Sequence, residues 1–520
     1  MSKVCDLATA VAVIKDRQSV ASTGVIGWLT PDALLRAIGD RYDATGSPRD
    51  LTFYFPVATG DSMGIPGMEH VAKKGLLRRV VSGNYINPRN PETGSRPALM
   101  ELIHNDLIEA YAWPIGATMH WLREVARRSP GYLTRMGLGT YIDPRNGGGK
   151  LTSLAEDDLV ERVEFRGEEY LFYPTWPLDV GIVRASSADE HGNLSFEDQP
   201  LTSCALALAL AVKASGGTVI AQVSRVVPRA TRSAHEVRIP GVLVDHVVVA
   251  PDEQLGTDVH DGSGYLGPVL DAVDQLPRLP PGPFKVIARR VAQEVRRGET
   301  AIFGFGAPAD VVLAMAEDGM LDNGRFDDYV FTTEHGPFGG AVMGGWQFSA
   351  NFSPKALLDG AYQFDFINGG GCEFAALAFA QIDAAGNVNV TRFGSAIAGG
   401  GGFTDIAHNA RRLVFAGTLT ADGLNVECEH GELTVLREGR VRKLVPATDS
   451  VTYRAGDGVR RGQEARVITE RAVFDLTADG LVLIEIAPGT DLHRDVLGQI
   501  DFPVRVADDL AMMSPDLFRP

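Results

Sequence analysis

Four prolines and a glycine fall between Pro277 and Pro283, inside the run DQLPRLPPGPFKVIARR. Proline fixes φ and removes an N–H donor, so this stretch can be neither inner strand nor mid-helix and reads as an extended connection. A helix-like pattern resumes at Lys285. The joint lies near the middle of 520 residues, a length too great for one ordinary core. The expected organisation is residues 1–276 as one folded unit, 277–283 as a linker, and 284–520 as a second unit.

The two sides of the joint share their punctuation. STGVIGWLTPDALLRAIGDR (22–41) and AIFGFGAPADVVLAMAEDG (301–319) both read as a strand end, a glycine turn and a helix start. DVGIVRASSADEHGNLSFE (179–197) and FAALAFAQIDAAGNVNVTR (374–392) both carry an apolar run, then a turn with Asp189 and Asn193 in one case and Asp383 and Asn387 in the other. A duplicated unit explains this; so do two unrelated domains with similar turns, since Gly-Asn turns are common. β-Branched runs such as LVDHVVVA (243–250) and RLVFAGTL (412–419) alternate with helical patterns such as ALLRAIGDRY, which predicts buried parallel strands with crossover helices. LNVECEHGELTVLREGRVRKLV (424–445) alternates at period two with turns at Gly431 and Gly439, as an antiparallel hairpin or meander would. The fold class expected is therefore α/β: two similar open α/β domains, with an antiparallel β addition in the C-terminal half.

Composition narrows the function. A hydrophobic share of 45% with 22% charged residues excludes a disordered or fibrous chain. A formal net charge of −17 argues against a nucleic-acid or membrane-surface partner, though backbone amides of an acidic protein can still hold a small anion. Cys5, Cys204, Cys372 and Cys428 are scattered, as in a reducing cytosol. The N-terminal run lacks a basic region followed by a cleavage site, and no uncharged apolar run approaches about 18 residues. A cytoplasmic protein, with no membrane partner, is expected.

Three glycine-rich regions could carry chemistry. In DDYVFTTEHGPFGG (327–340), Tyr329–Thr333 is a strand candidate that Gly336-Pro337 must end. Glu334 then sits at the carboxyl end of a strand, where open α/β sheets place their ligand crevice. Glu-His-Gly recurs in apparent turns at 190–192 and 429–431, so the tripeptide alone says nothing, and a solvated carboxylate is the plain reading. In FDFINGGGCEFAALAFAQ (364–381), Gly369, Gly370 and Gly371 form either a tight turn needing positive φ or a backbone surface open to an anion. In SAIAGGGGFTDIAHNARRLVF (395–415), four consecutive glycines, 399–402, are costly to order. A β-run follows them closely, which favours a rigid loop with bare N–H groups over a flexible linker. The run matches no phosphate loop and no dinucleotide fingerprint. No H-E-x-x-H or C-x-x-C occurs, so no metal site is expected; His335 is notable only because it abuts Glu334.

From about Gly24 to Pro503 the chain resembles the class I coenzyme A transferases, in the branch that acts on acetate or propionate and fuses both subunit types in one polypeptide. The segments that carry the likeness include GVIGWLTPDALL, YLTRMGLGTYIDPR, GEEYLFYPTWPLDVGIVRASSADEHGN, TTEHGPFGG, YQFDFINGGG, GNVNVTRFG, the glycine run, TERAVF and EIAPGTDL. The resemblance implies two similar halves with the site between them. Glu334 would be the nucleophile that forms a glutamyl-CoA thioester, and Gly401 and Gly402 the oxyanion donors. Gly369, Gly370, Gly371 and Gly400 would line the coenzyme. It implies acyl-CoA and carboxylate substrates, coenzyme A as substrate with no tightly bound cofactor, and a homodimer or homotetramer. Around the acyl group the chain departs from its relatives. Ile115 stands where they commonly have glutamine, Thr59 where they place an amide, and His335 and Phe338 where they have smaller or uncharged residues. Two rival functions share the fold: an acyl-CoA hydrolase using the same glutamate, and a non-catalytic subunit that binds CoA or an acyl carrier. An unrelated two-domain α/β protein for anionic ligands is a third reading.

Overall fold

The computed structural model describes residues 2–90, 93–228, 231–259 and 262–519. Two large sheets account for most of it. The first contains β1 (Ser19–Ser22), β2 (Leu51–Phe55), β3 (Leu77–Ser82), β4 (Glu109–Ala112), β5 (Val180–Ala188), β6 (Thr218–Val226) and β7 (His246–Val249). Their spatial order is β7-β6-β5-β1-β2-β3-β4, every pairing parallel. The second sheet holds β8 (Thr300–Phe303), β9 (Val330–Thr332), β10 (Phe374–Ala378), β11 (Arg412–Ala416) and β12 (Glu464–Ile468), in the parallel order β9-β8-β10-β11-β12. Read from the other edge, that is the order β12-β11-β10-β8-β9, which repeats β7-β6-β5-β1-β2 strand for strand. These strands are covered on both faces; all nine residues of β5 are buried, Arg184, Ser186 and Ser187 among them.

The repeat extends to atoms. Asp189 Oδ1 accepts the N–H groups of His191 and Asn193 at 2.9 and 3.0 Å, and its Oδ2 accepts from Asn193 Nδ2 at 2.7 Å. Asp383 Oδ1 accepts from Ala385 and Asn387 at 3.0 and 2.9 Å, and its Oδ2 from Asn387 Nδ2 at 3.0 Å. Both turns close on a glycine at positive φ, Gly192 (+84°) and Gly386 (+79°).

The antiparallel addition lies in the C-terminal half. A hairpin pairs Asn425–Glu429 with Glu432–Arg437 through Gly431, and Ala472–Thr477 and Gly480–Ile486 extend the second sheet antiparallel beyond β12. The proline-rich stretch leads into a helix, Pro283–Ala292, whose first residue is Pro283, where a missing N–H is harmless. Among the described residues no helix is long and apolar enough to cross a membrane, and Cys5, Cys204, Cys372 and Cys428 are unpaired.

Four helices bring the halves together: α1 (Ile115–Ala126) and α2 (Ala205–Ala214) before the joint, α3 (Gly360–Asn368) and α4 (Phe403–Asn409) after it. Backbone bonds stitch this seam. Ile115 N–H donates to the Gly401 carbonyl at 2.9 Å, Gly360 N–H to the Ser203 carbonyl at 2.7 Å, and Tyr85 N–H to the Ala398 carbonyl at 2.8 Å.

Candidate active site

Glu334 sits where strand β9 reverses. Thr332 pairs with Phe338 on the returning strand, and the reversal is made by Gly336 at φ +103°. Side chains fix both arms. Thr333 Oγ1 donates to the Ser349 carbonyl at 2.9 Å, and buried Gln363 Nε2 donates to Thr332 Oγ1 at 3.0 Å and to the Thr333 carbonyl at 2.8 Å. Carboxylate and imidazole diverge at the tip: the Glu334 side chain is 16% exposed and that of His335 only 1%, with His335 Nε2 3.4 Å from Glu334 Oε1. Neither ring nitrogen of His335 has a hydrogen-bond partner among the described residues.

The quadruple glycine lies directly against this tip. A Cβ built on Gly402 would overlap Glu334 Oε2, so the carboxylate rests where only a glycine leaves room. A Cβ on Gly400 would overlap the Tyr141 hydroxyl, and one on Gly399 would come within 2.8 Å of the Gly83 carbonyl oxygen. Gly401 has φ +57°, and a Cβ there would meet nothing within 4 Å, so the loop is open on that side. The loop is rigid because it is bonded at both ends of Gly401: its N–H donates to the Gly83 carbonyl at 2.9 Å and its carbonyl accepts from Ile115.

The bond to Gly83 bears on the role expected of Gly401. Its N–H is already engaged and cannot serve as an oxyanion donor in this conformation, whereas the Gly402 N–H has no acceptor among the described residues. The N–H groups of Gly369, Gly370 and Gly371 are engaged as well. They cap the C-terminus of α3: Gly369 N–H donates to Asp365, Gly370 N–H to Ile367 and Gly371 N–H to Phe366, at 2.9, 3.0 and 2.9 Å. All three donors are engaged at the negative end of a helix, as in a tight turn, and in this conformation they offer an anion no free N–H. Gly400 lies on Tyr141, inside the loop and against a phenol.

The remaining expected residues divide. Phe338 packs edge-on against Phe366, ring centroids 5.2 Å apart, beside the turn that carries Glu334. Ile115 is fully buried and presses on Gly83, so it helps seat the glycine loop. Thr59 donates to the Val57 carbonyl at 3.1 Å and packs on Gly24; none of its described contacts reaches the loop of Glu334.

Sequence reasoning missed Asp405. It follows the glycine run by three residues, is 1% exposed, and its Oδ2 accepts the Gly116 N–H from the other half at 3.2 Å. Burial pushes its pKa up to about 6 against the pull of His120, the Asn368 side chain and the Gly116 N–H, while the charge of Glu334 adds to the rise. An aspartate on the apolar side of FTDIAHN was the available signal. A cavity of about 710 Å³ also opens at the seam, lined by Arg225, Arg232 and His235 from one half and Leu358, Asp359 and Tyr362 from the other. Leu358 N–H donates to the Gly336 carbonyl at 2.8 Å, so one wall of the cavity is tied to the turn that carries Glu334. Among the described residues no group of three or more His, Cys, Asp or Glu could hold a metal ion.

Comparison with known proteins points one way. A family model described as Coenzyme A transferase matches residues 4–250. Acetate CoA-transferase YdiF of Escherichia coli K12 is 38% identical over 517 residues, covering 98% of this chain and 94% of that protein. Caffeate CoA-transferase of Acetobacterium woodii is 36% identical over 528 residues, covering 100% and 98%. Among solved structures, the acyl-CoA transferase YdiF of E. coli O157:H7, as a thioester complex with CoA, superposes with a TM-score of 0.88 at 35% identity, covering 100% of this chain and 96% of that one.

Proposed function

This chain belongs to the coenzyme A transferase family, and from that premise we propose that Glu334 is the covalent nucleophile in an exchange of CoA between an acyl-CoA and a free carboxylate. The observation that carries the reading is the Glu334 carboxylate lying over Gly402, beside an N–H without an acceptor.

The chemistry follows from the residue type. A Glu334 oxygen attacks the thioester carbonyl, the tetrahedral oxyanion collapses, and the C–S bond breaks to give an acyl–glutamyl anhydride and CoA thiolate. The thiolate attacks the glutamyl carbonyl, which forms a glutamyl-CoA thioester and releases the first acid as its carboxylate. A second carboxylate attacks that thioester and expels the thiolate, which then attacks the new acyl carbonyl and restores Glu334. Each step makes one acyl bond and breaks another, so the activation of the thioester is conserved and no net proton moves. The Gly402 N–H is the donor for the oxyanion, in a site where a lost donor typically reduces turnover by about 10²–10³-fold. That a relative of similar fold is solved as a thioester complex with CoA supports the same intermediate here.

Since Gly369–Gly371 are a helix cap, the charged end of CoA needs other partners. The seam cavity is the candidate for it: Arg225, Arg232 and His235 line it, with both arginines paired to Glu197 at its wall, and binding energy gained there, remote from the bond broken, can offset the formation of so reactive an anhydride. Acetate and caffeate, the acids in the relatives' names, differ in size and share only the carboxylate; the acceptor read here is likewise a free carboxylic acid.

Steady-state kinetics test the proposal. Varying acyl-CoA against acetate should give parallel double-reciprocal lines, and the enzyme should exchange label between an acyl-CoA and its own free acid with no second acid present. Thiol release without any carboxylate, at the rate of transfer, would replace the transferase reading with a hydrolase.

A further inference from the structure

Helix α1 begins without a cap of its own. Its N-cap position is Pro114, which has no side-chain hydrogen bond to offer, and its first two free N–H groups are taken by the other half of the molecule. Ile115 N–H goes to the Gly401 carbonyl and Gly116 N–H to Asp405 Oδ2. Gly401 and Asp405 flank Gly402, the residue under the Glu334 carboxylate. Position 116 must itself be glycine, because a Cβ there would overlap the Asp405 carboxylate. Helix α3 shares only the first of these bonds: its Gly360 N–H crosses to Ser203, but Asp359, its N-cap, accepts the Ala361 N–H at 3.0 Å within its own half.

Resting on the Glu334 reading, we propose that Asp405 is a positioning residue: by capping α1 across the seam in its ionised form, it holds the Gly402 N–H beside the Glu334 carboxylate, free for the oxyanion. A misplacement of about 1 Å in such a donor can reduce turnover by about 10²-fold, which is the leverage a remote clamp has. Burying the group serves the loop rather than the fold. An acid whose pKa is higher folded than unfolded stabilises the fold in acid, and that stability is lost as pH rises toward the folded value, here about 6. Above that pH the protein carries the charge at the expense of stability. The surroundings of Asp405 are consistent with a tuned group. Glu334 and Asn368 face it from its own half, and His120, Tyr132, Tyr141 and Tyr173 from the other. Its Oδ1 has no partner among the described residues.

Asp405→Asn separates charge from shape, since the amide oxygen can still accept from Gly116. At pH 7.5 its kcat should fall about tenfold, the difference between a charge-assisted and a neutral hydrogen bond, with KM for acyl-CoA within about twofold. Its melting temperature should be no lower than that of the wild type, and higher above pH 7. The wild type should lose kcat as pH falls through about 6, and this step should be missing in Asp405→Asn. Gly116→Ala, which presses on the carboxylate from the opposite side, should reproduce the loss of kcat. Wild-type kcat and an unchanged pH profile in Asp405→Asn would overturn the inference while leaving Glu334 untouched. A wild-type enzyme that transfers CoA with no trappable Glu334 thioester would remove the reading beneath it as well.

Discussion

Ser203, with φ +47°, precedes the N-cap of helix α2, and Gly401, with φ +57°, precedes that of α4. Each of these residues accepts, through its carbonyl, the N–H of the first residue of a helix in the opposite half: Gly360 for Ser203, Ile115 for Gly401. The caps are Cys204 and Gly402, both near-helical in φ and ψ. Beyond that the two places diverge. Cys204 presents a thiol that burial pushes up to about 12, and the matching strand β2 runs into Pro56, Val57 and Ala58. Gly402 presents a bare backbone, and the matching strand β9 runs into Thr333, Glu334 and His335. The loop-and-helix scaffold is thus present twice, and the proposed reactivity rests on two local differences: a carboxylate beyond the strand and no Cβ at the cap.

Replacing the nucleophile should break this contrast most completely. Glu334→Gln is expected to lower kcat on the order of 10⁴–10⁶-fold, as for other covalent nucleophiles, with Val57→Ala at the silent counterpart within about twofold by the same transfer assay. Gly402→Ala puts a methyl group on the carboxylate and should reduce kcat by about 10²–10³-fold, while Cys204→Ala changes turnover less than about twofold. The paired turns should behave alike: Asn193→Ala and Asn387→Ala each remove a bond to a buried aspartate and should lower unfolding free energy by about 1–3 kcal/mol in urea titrations. Unequal losses would show that the two halves do not share the load. Smallest is Gly370→Ala, a residue at φ +80° in the α3 cap, expected to destabilise by about 1 kcal/mol with KM for acyl-CoA unchanged. A tenfold rise in KM there would restore the coenzyme-binding role to Gly369–Gly371.

Much of this was legible in the chain because it is local. Asp189 with Asn193 and Asp383 with Asn387 announce matching turns, and four glycines in a row announce a close approach. The likeness of TTEHGPFGG to a known family singles out Glu334. What stayed hidden depends on partners far away in sequence. A glycine triplet indicates unusual backbone but not which end of which helix it finishes, and only the bonds to Asp365, Phe366 and Ile367 identify Gly369–Gly371 as a cap. The engagement of Gly401 with Gly83, and of Asp405 with Gly116, crosses several hundred residues. Side-chain patterning within one helix cannot foretell a cap supplied from the other half.

The most direct test is peptide-level mass analysis after the enzyme is mixed with acyl-CoA and treated with borohydride. The account predicts that Glu334, and no other carboxylate, is reduced to the alcohol, and that the change disappears when acyl-CoA is withheld. Reduction at a different residue, or an unmodified Glu334 in an enzyme that is turning over, would contradict it.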